Sequence, residues 1–187
     1  MGVALLLFAI GLVTMFTIGG LSGVTHAVAP SDTQQTDTYY IVAHFHYVLF
    51  GGSVFGLFAG LYYWFPKMSG RMHSELLAHL HFWGFFIGVN VIFFPQHFLG
   101  WNGMPRRYPD YAAAFEYWNN ISSLGYIIMA GSMVFFFVNV AYALIAGKKV
   151  GANYWGDGAT TLEWTVPSPP PFHTFEELPH ISPTAHH

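Results

Sequence analysis

The chain contains no cysteine, so neither a disulfide framework nor a thiolate metal site is open to it. Charge is nearly as scarce. Asp, Glu, Lys and Arg together make 8% of the residues, where an ordinary soluble domain carries about a quarter. Such a chain cannot cover its surface with charge, and much of that surface must meet lipid or other protein. The formal net charge of −3 leaves no electrostatic footprint for nucleic acid, so no nucleic-acid partner is expected. What the sequence has in quantity is apolar: 53% hydrophobic and 19% aromatic residues. Its eleven histidines dominate the side chains able to bind a metal.

Four apolar runs, roughly 3–25, 39–65, 77–99 and 121–146, each approach the ~20 residues a membrane-spanning helix needs. The first has no basic leader region and reads as a membrane helix, not a cleaved signal peptide. Between the runs lie "AVAPSDTQQTD", "PKMSGRMHSE" and "GWNGMPRRYPDY", rich in turn-forming residues. Pro66 is expected to end the second span, and Pro95 to kink the third unless a neighbour satisfies the freed carbonyl. No internal repeat is visible. The fold class is therefore an all-α membrane protein, with residues 1–147 as the four-span segment. Residues 148–187, containing "VPSPPPFHTFEELPHISP", form a proline-rich cytoplasmic tail expected to lie extended on a surface.

Basic residues set the orientation. Lys67 and Arg71, and the Lys148–Lys149 pair, place those two ends in the cytoplasm, while the connection 26–38 has two aspartates and no Lys or Arg. By alternation the connection 100–120 faces outward, yet it carries Arg106 and Arg107 against the positive-inside tendency.

The stretch "DTYYIVAHFHYVLFGG", residues 37–52, puts His44 and His46 inside a span, where polar groups are costly and mark function. Residues two apart on a helix are rotated by about 200°, so the two imidazoles face opposite sides and cannot chelate one ion. Two separate partners fit, such as two haem irons. The alternative is that each imidazole hydrogen-bonds a neighbouring helix. The histidines lie roughly 6–9 Å inside the membrane at 1.5 Å per residue, on the side of the arginine pair. A haem held there could turn its propionates toward Arg106 and Arg107, because guanidinium binds carboxylate in a bidentate fork. Alternatively, the arginines anchor a loop at the interface.

The blocks "FTIGGLSGV", "DTYYIVAHFHYVLFGGSVFGLFAGLYYWFPKMSG", "FFPQHFLGWNGMPRRYPDY" and "TLEWTVPSPPPFHTFEELP", in order along the chain, resemble subunit I of haem–copper oxidases, most closely the cytochrome c oxidase branch. The resemblance covers essentially the whole chain. It implies that His44 is the proximal ligand of the high-spin haem and His46 an axial ligand of the low-spin haem, with Phe45 between them. It implies that Arg106 and Arg107 contact haem propionates and that Asp32 lies near a propionate of the high-spin haem. Asp37 would belong to a magnesium or manganese site shared with subunit II. Many members carry histidine directly before that aspartate; here the position is Thr36, a poorer ligand for manganese. His79, His81 and His97 read as structural or supporting groups, His26 matches no family ligand, and His186 and His187 read as solvated.

The family's subunit I has about twelve spans, and this chain resembles the last four, so the four helices would form part of a twelve-helix bundle. The copper ligands, copper B included, and the second low-spin ligand would belong to the earlier spans, which either form a separate polypeptide or are missing from a fragment. Met1 at the mouth of a span favours a split chain. The implied cofactors are two haems, of the haem a type, with copper B held by the missing part and magnesium at the site shared with subunit II. The implied partners are the N-terminal part of subunit I, subunits II and III, cytochrome c as electron donor, and the lipid of a bacterial plasma membrane rather than a mitochondrial inner membrane. The implied function is electron transfer from cytochrome c to dioxygen, coupled to proton translocation. A haem-free transporter segment, a structural remnant without cofactors and a nitric oxide reductase are the alternatives.

Overall fold

The computed structural model describes residues 2–175 and Glu177; His186 and His187 lie outside the described residues. Six α-helices follow one another: α1 (Val3–Ala27), α2 (Ala29–Gln35), α3 (Tyr39–Phe45), α4 (Gly51–Ser69), α5 (Glu75–Trp101) and α6 (Glu116–Ala146). A π-helical turn, His46–Phe50, joins α3 to α4 without a break, so Tyr39–Ser69 is one long helix. Among the described residues four helices are long and apolar enough to cross a membrane.

Each span runs past a boundary its hydropathy suggests, and at the second and third spans hydrogen bonds at the helix ends carry the extension. The second does not end before Pro66. The ring removes the donor to the Tyr62 carbonyl, but His73 Nε2 donates to that carbonyl at 3.3 Å, and the helix continues to Ser69. Gly70 then closes it in the left-handed conformation, φ 71°, its amide donating to the Pro66 carbonyl. The third span runs unbroken through Pro95; the carbonyl its ring frees is that of Val91, and the fourth span's Ser122 donates to the neighbouring Ile92 carbonyl at 2.8 Å. At the start of α5, the Asn139 amide of α6 accepts from the Ser74 amide and donates to its carbonyl, at 2.8 and 3.0 Å. The Glu75 carboxylate accepts from the Gly2 and Ala4 amides, occupying donors that the start of α1 leaves orphaned.

The core lies where α1, α4 and α5 meet. Phe8, Phe55, Phe58, Tyr62, Phe82 and Phe85 pack there in edge and tilted pairs around the fully buried His81. His81 Nδ1 pairs with the Tyr62 hydroxyl at 3.0 Å. The α5–α6 contact depends on absent side chains: a Cβ on Gly88 would come within 2.6 Å of the Met129 backbone nitrogen, and one on Gly125 within 2.5 Å of that of Ile92. Close approach of this kind drives helix association where lipid removes the hydrophobic advantage of burial. Outside these seams the surface is apolar, and α6 presents Ile127, Val134, Phe137 and Ile145 outward.

Candidate functional site: two imidazoles on one span

His44 and His46 leave the second span on different sides. His44 turns toward the first span, its Nδ1 2.9 Å from the Gly19 carbonyl and 2.9 Å from the Ser22 hydroxyl oxygen. That hydroxyl spends its own proton on the Gly19 carbonyl. Two acceptors on one nitrogen place the proton on Nδ1 and leave Nε2 with its lone pair. His46 turns toward the third span and stacks on Phe93, ring centroids 4.2 Å apart at 13°. Its Nδ1 lies 2.7 Å from the Val42 carbonyl, which fixes the same tautomer. Both rings are half-buried.

A backbone carbonyl on Nδ1 and a free Nε2 is how proteins prepare histidine to ligate a metal, because the second bond sets both tautomer and ring orientation. The two imidazoles could therefore each hold a haem iron, one on each side of the span. The sequence period gives the opposite-side placement; the anchoring partners are additions of the fold. So is the π turn. There the Gly51 amide reaches the His46 carbonyl five residues back, beside a Val42 carbonyl already shared by the His46 ring and amide. Such turns recur at functional sites.

The loops at the arginine-bearing end are tied together by a short antiparallel bridge, Thr38 against Pro105. The Tyr39 amide donates to the Met104 carbonyl and the Arg106 amide to that of Asp37, both at 3.0 Å. Arg106 Nε and Nη2 close on a single oxygen of Asp37, at 2.9 and 2.8 Å. Asp37 and Arg107 both hold left-handed backbone, φ 61° and 67°, costly for residues with a Cβ. Arg107 is exposed. Asp32 takes His26 Nδ1 at 2.9 Å and the Thr36 hydroxyl at 3.3 Å on the same oxygen.

The structure thus brings Asp37 to Arg106, and Thr36 to Asp32, but turns Thr36 and Asp37 apart. Among the described residues no three His, Cys, Asp or Glu side chains converge as a metal cluster. Thr36 and Asp37 alone do not fit a divalent-ion site, which asks for six or more oxygen ligands. His26 is the residue that sequence reasoning passed over. Its ring touches both Asp32 and, at a centroid distance of 5.1 Å, His44. The spacing Gly19, Ser22, His26 along one face of α1 carries that signal. His97 packs edge-on against Tyr40, centroids 5.0 Å apart, and His79 sits 3.9 Å from Glu75.

The class defined here is an all-helical membrane protein that presents metal-ready imidazoles on both faces of one span. The family model described as Cytochrome C and Quinol oxidase polypeptide I matches residues 1–134, and the chain belongs to that family. It is 54% identical over 175 residues to cytochrome c oxidase subunit 1 of Cereibacter sphaeroides, covering 93% of this chain and 31% of that protein. It is 49% identical over 185 residues to the subunit 1 of Yarrowia lipolytica, covering 90% of this chain and 35% of that one. A probable cytochrome c oxidase subunit 1-beta of Nocardia farcinica matches at 49%, over 94% of this chain and 30% of its own length. The chain spans about a third of the length of these curated relatives. In fold it resembles a haem–copper terminal oxidase dimer solved by cryo-electron microscopy, with a TM-score of 0.68 and 22% identity, over 79% of this chain and 27% of that one.

Proposed function

We propose that this chain is the haem-ligating part of the catalytic subunit of a terminal respiratory oxidase. The observation that carries the reading is the paired Nδ1 anchoring of His44 and His46 on opposite sides of one helix. His44 serves the high-spin haem and His46 the low-spin haem, both of the haem a type. The haems, when bound, supply the electron transfer and the reduction of dioxygen to water. The chain's own residues do the rest. Gly19, Ser22 and Val42 hold the ligands in one tautomer and orientation. Phe45, between the two ligands in sequence, has its ring centroid 4.6 Å from that of His46. Arg106 and Arg107 sit in the loop before α6 and Asp32 in α2, at the same end, where guanidinium groups would receive propionates.

In this reading the copper ligands and the second low-spin ligand come from the remaining two-thirds of subunit I. Subunits II and III complete the complex, cytochrome c delivers the electrons, and protons cross the membrane. Any divalent ion near Asp37 takes most of its ligands from another chain. The higher identity to the Cereibacter relative and the proline-rich tail favour a bacterial plasma membrane over a mitochondrial one. The test is the reduced-minus-oxidised spectrum of the purified complex containing this chain, scaled to protein. Two haem signals per copy are expected. A colourless complex would return the imidazoles to the role of helix-packing groups in a transporter-like segment.

A further inference from the structure

At the end of the bundle opposite the arginines, the chain after α6 turns back across the helix ends. The Lys148 carbonyl accepts from the Met72 amide at 2.8 Å, and the Val150 amide donates to the Gly70 carbonyl at 3.0 Å. Arg71 Nη1 donates to the Gly147 carbonyl at 3.1 Å. Trp155 stacks flat on Tyr63, centroids 5.4 Å apart at 11°, and the Tyr154 hydroxyl donates to the Tyr63 carbonyl at 2.9 Å. Trp164 stands edge-on to Tyr63 and Tyr154 and is 3% exposed. The loop is closed on itself where the Ser168 hydroxyl donates to the Gly151 carbonyl at 2.9 Å.

Through the middle of this segment comes Lys67, a cation only 5% exposed. Its ammonium donates to two carbonyls from opposite limbs of the segment, Ala152 at 3.0 Å and Val166 at 2.6 Å. It lies 5.5 Å from the Trp164 ring centroid, in cation–π range. Among the described residues no carboxylate pairs with Lys67 in a salt bridge. A buried charge needs its hydrogen bonds made, and here the partners are backbone oxygens that leave with the segment if it lifts. The position, in the last turn of α4, also sets the cation against the negative end of the helix dipole.

We infer that residues 148–169 form a strap that opens and closes as one unit, pinned by Lys67 through the Ala152 and Val166 carbonyls. Closed, it holds Trp155 flat on Tyr63 and ties the Gly70–Met72 turn, next to His73, whose bond to Tyr62 carries α4 across Pro66. Lifting either limb alone would leave the ammonium half-satisfied, so the two limbs move together. The strap is thus part of the fold of the span that carries both imidazoles.

Because the chain has no cysteine, Val166→Cys in the full chain within its assembled complex gives one thiol here to follow with a maleimide by mass. With Lys67 intact, labelling is slow, because the residue is 6% exposed. Adding Lys67→Met raises the rate about tenfold or more, since opening governs access. Lys67→Arg keeps a cation with several donors and stays within about threefold of the parent. Tyr154→Phe removes only the hydroxyl bond to Tyr63 and gives a smaller increase than Lys67→Met. Labelling at the parent rate in both Lys67→Met and Tyr154→Phe overturns the proposal. If Lys67→Met does not accumulate, Tyr154→Phe decides alone by the same criterion.

Discussion

Arg106 closes on Asp37 with two nitrogens on a single carboxylate oxygen, joining residues 69 apart in sequence at the arginine-bearing end of the bundle. Asp37 keeps a side chain 69% exposed while that of Arg106 is 22% exposed. The pair is therefore asymmetric: the carboxylate is already solvated, and the guanidinium is the partly withdrawn member. An exposed pair of this kind is worth about 0–1 kcal/mol. Asp37→Asn should accordingly lower stability by less than about 1 kcal/mol.

Arg106→Gln is expected to do more. If its guanidinium also meets a haem propionate, its loss leaves a carboxylate unneutralised in a low-dielectric site. The more positive oxidised iron is then favoured, and the potential falls by an amount on the order of tens of millivolts, given 59 mV per tenfold for one electron. Spectroelectrochemical titration of Arg106→Gln and Arg107→Gln reads this directly. Unchanged potentials in both variants would reduce the arginines to loop anchors.

The two imidazoles should fail separately. His44→Ala is expected to abolish the carbon monoxide difference spectrum while the low-spin signal survives. His46→Ala is expected to lose the low-spin signal while the chemically reduced protein still binds carbon monoxide. Spectra are scaled to purified protein so that poor assembly is not mistaken for selective loss. Loss of the same haem in both variants contradicts the placement of one ligand on each side of the helix.

The Thr36 hydroxyl turns to Asp32, and the Asp37 carboxylate to Arg106. Growth in high manganese should therefore give no well-resolved Mn²⁺ signal with a nitrogen ligand from this position in electron paramagnetic resonance. Thr36→His is the complementary variant. A strong, well-resolved nitrogen-coupled signal in the parent chain would contradict this reading of Thr36 and Asp37.

His73 lies between the second and third spans, and burial pushes its imidazole below the ordinary value of 6.5. The folded protein thus holds it neutral where an unfolded chain would take up a proton. Unfolded chains then bind more protons, so stability rises with pH through this window. The contribution is complete above about pH 6.5 and is lost as the pH falls from there toward the folded value. His73→Gln should flatten the acid limb of a thermal-stability profile measured from pH 7.5 to 5. Because Nε2 also serves the Tyr62 carbonyl, His73→Ala should cost about 1–3 kcal/mol at neutral pH. A profile for His73→Gln that overlays the parent below pH 6.5 would remove His73 from this role.

The spans were readable from apolar length alone, since a helix must satisfy its own backbone wherever water is absent. Their ends were not. Pro66 looks like a stop until His73, seven residues on, is seen to replace the missing donor. The opposite placement of His44 and His46 follows from helix period, but their anchors Gly19, Ser22 and Phe93 belong to other spans, and no local pattern names them. The unexpected sign of charge at Arg106 and Arg107 was visible; that one of them pairs with Asp37 depends on a loop bridge between distant segments. The tail's composition suggested an extended run. The pin at Lys67 was invisible because its partners are carbonyl groups, which every residue has.

The π turn at His46–Phe50 makes the second span a helix in two phases. Upstream, register is set by His44 against the first span; downstream, by Phe55, Phe58 and Tyr62 in the core and by Lys67. Five residues of π-helix sweep about the same angle as four in an α-helix, so the turn absorbs one residue of sequence with almost no rotation in space. Downstream of it, every side chain keeps the face it would have if numbered one lower. The apolar period of the span therefore slips by one position at 46–50 while the core aromatics and the imidazoles stay aligned.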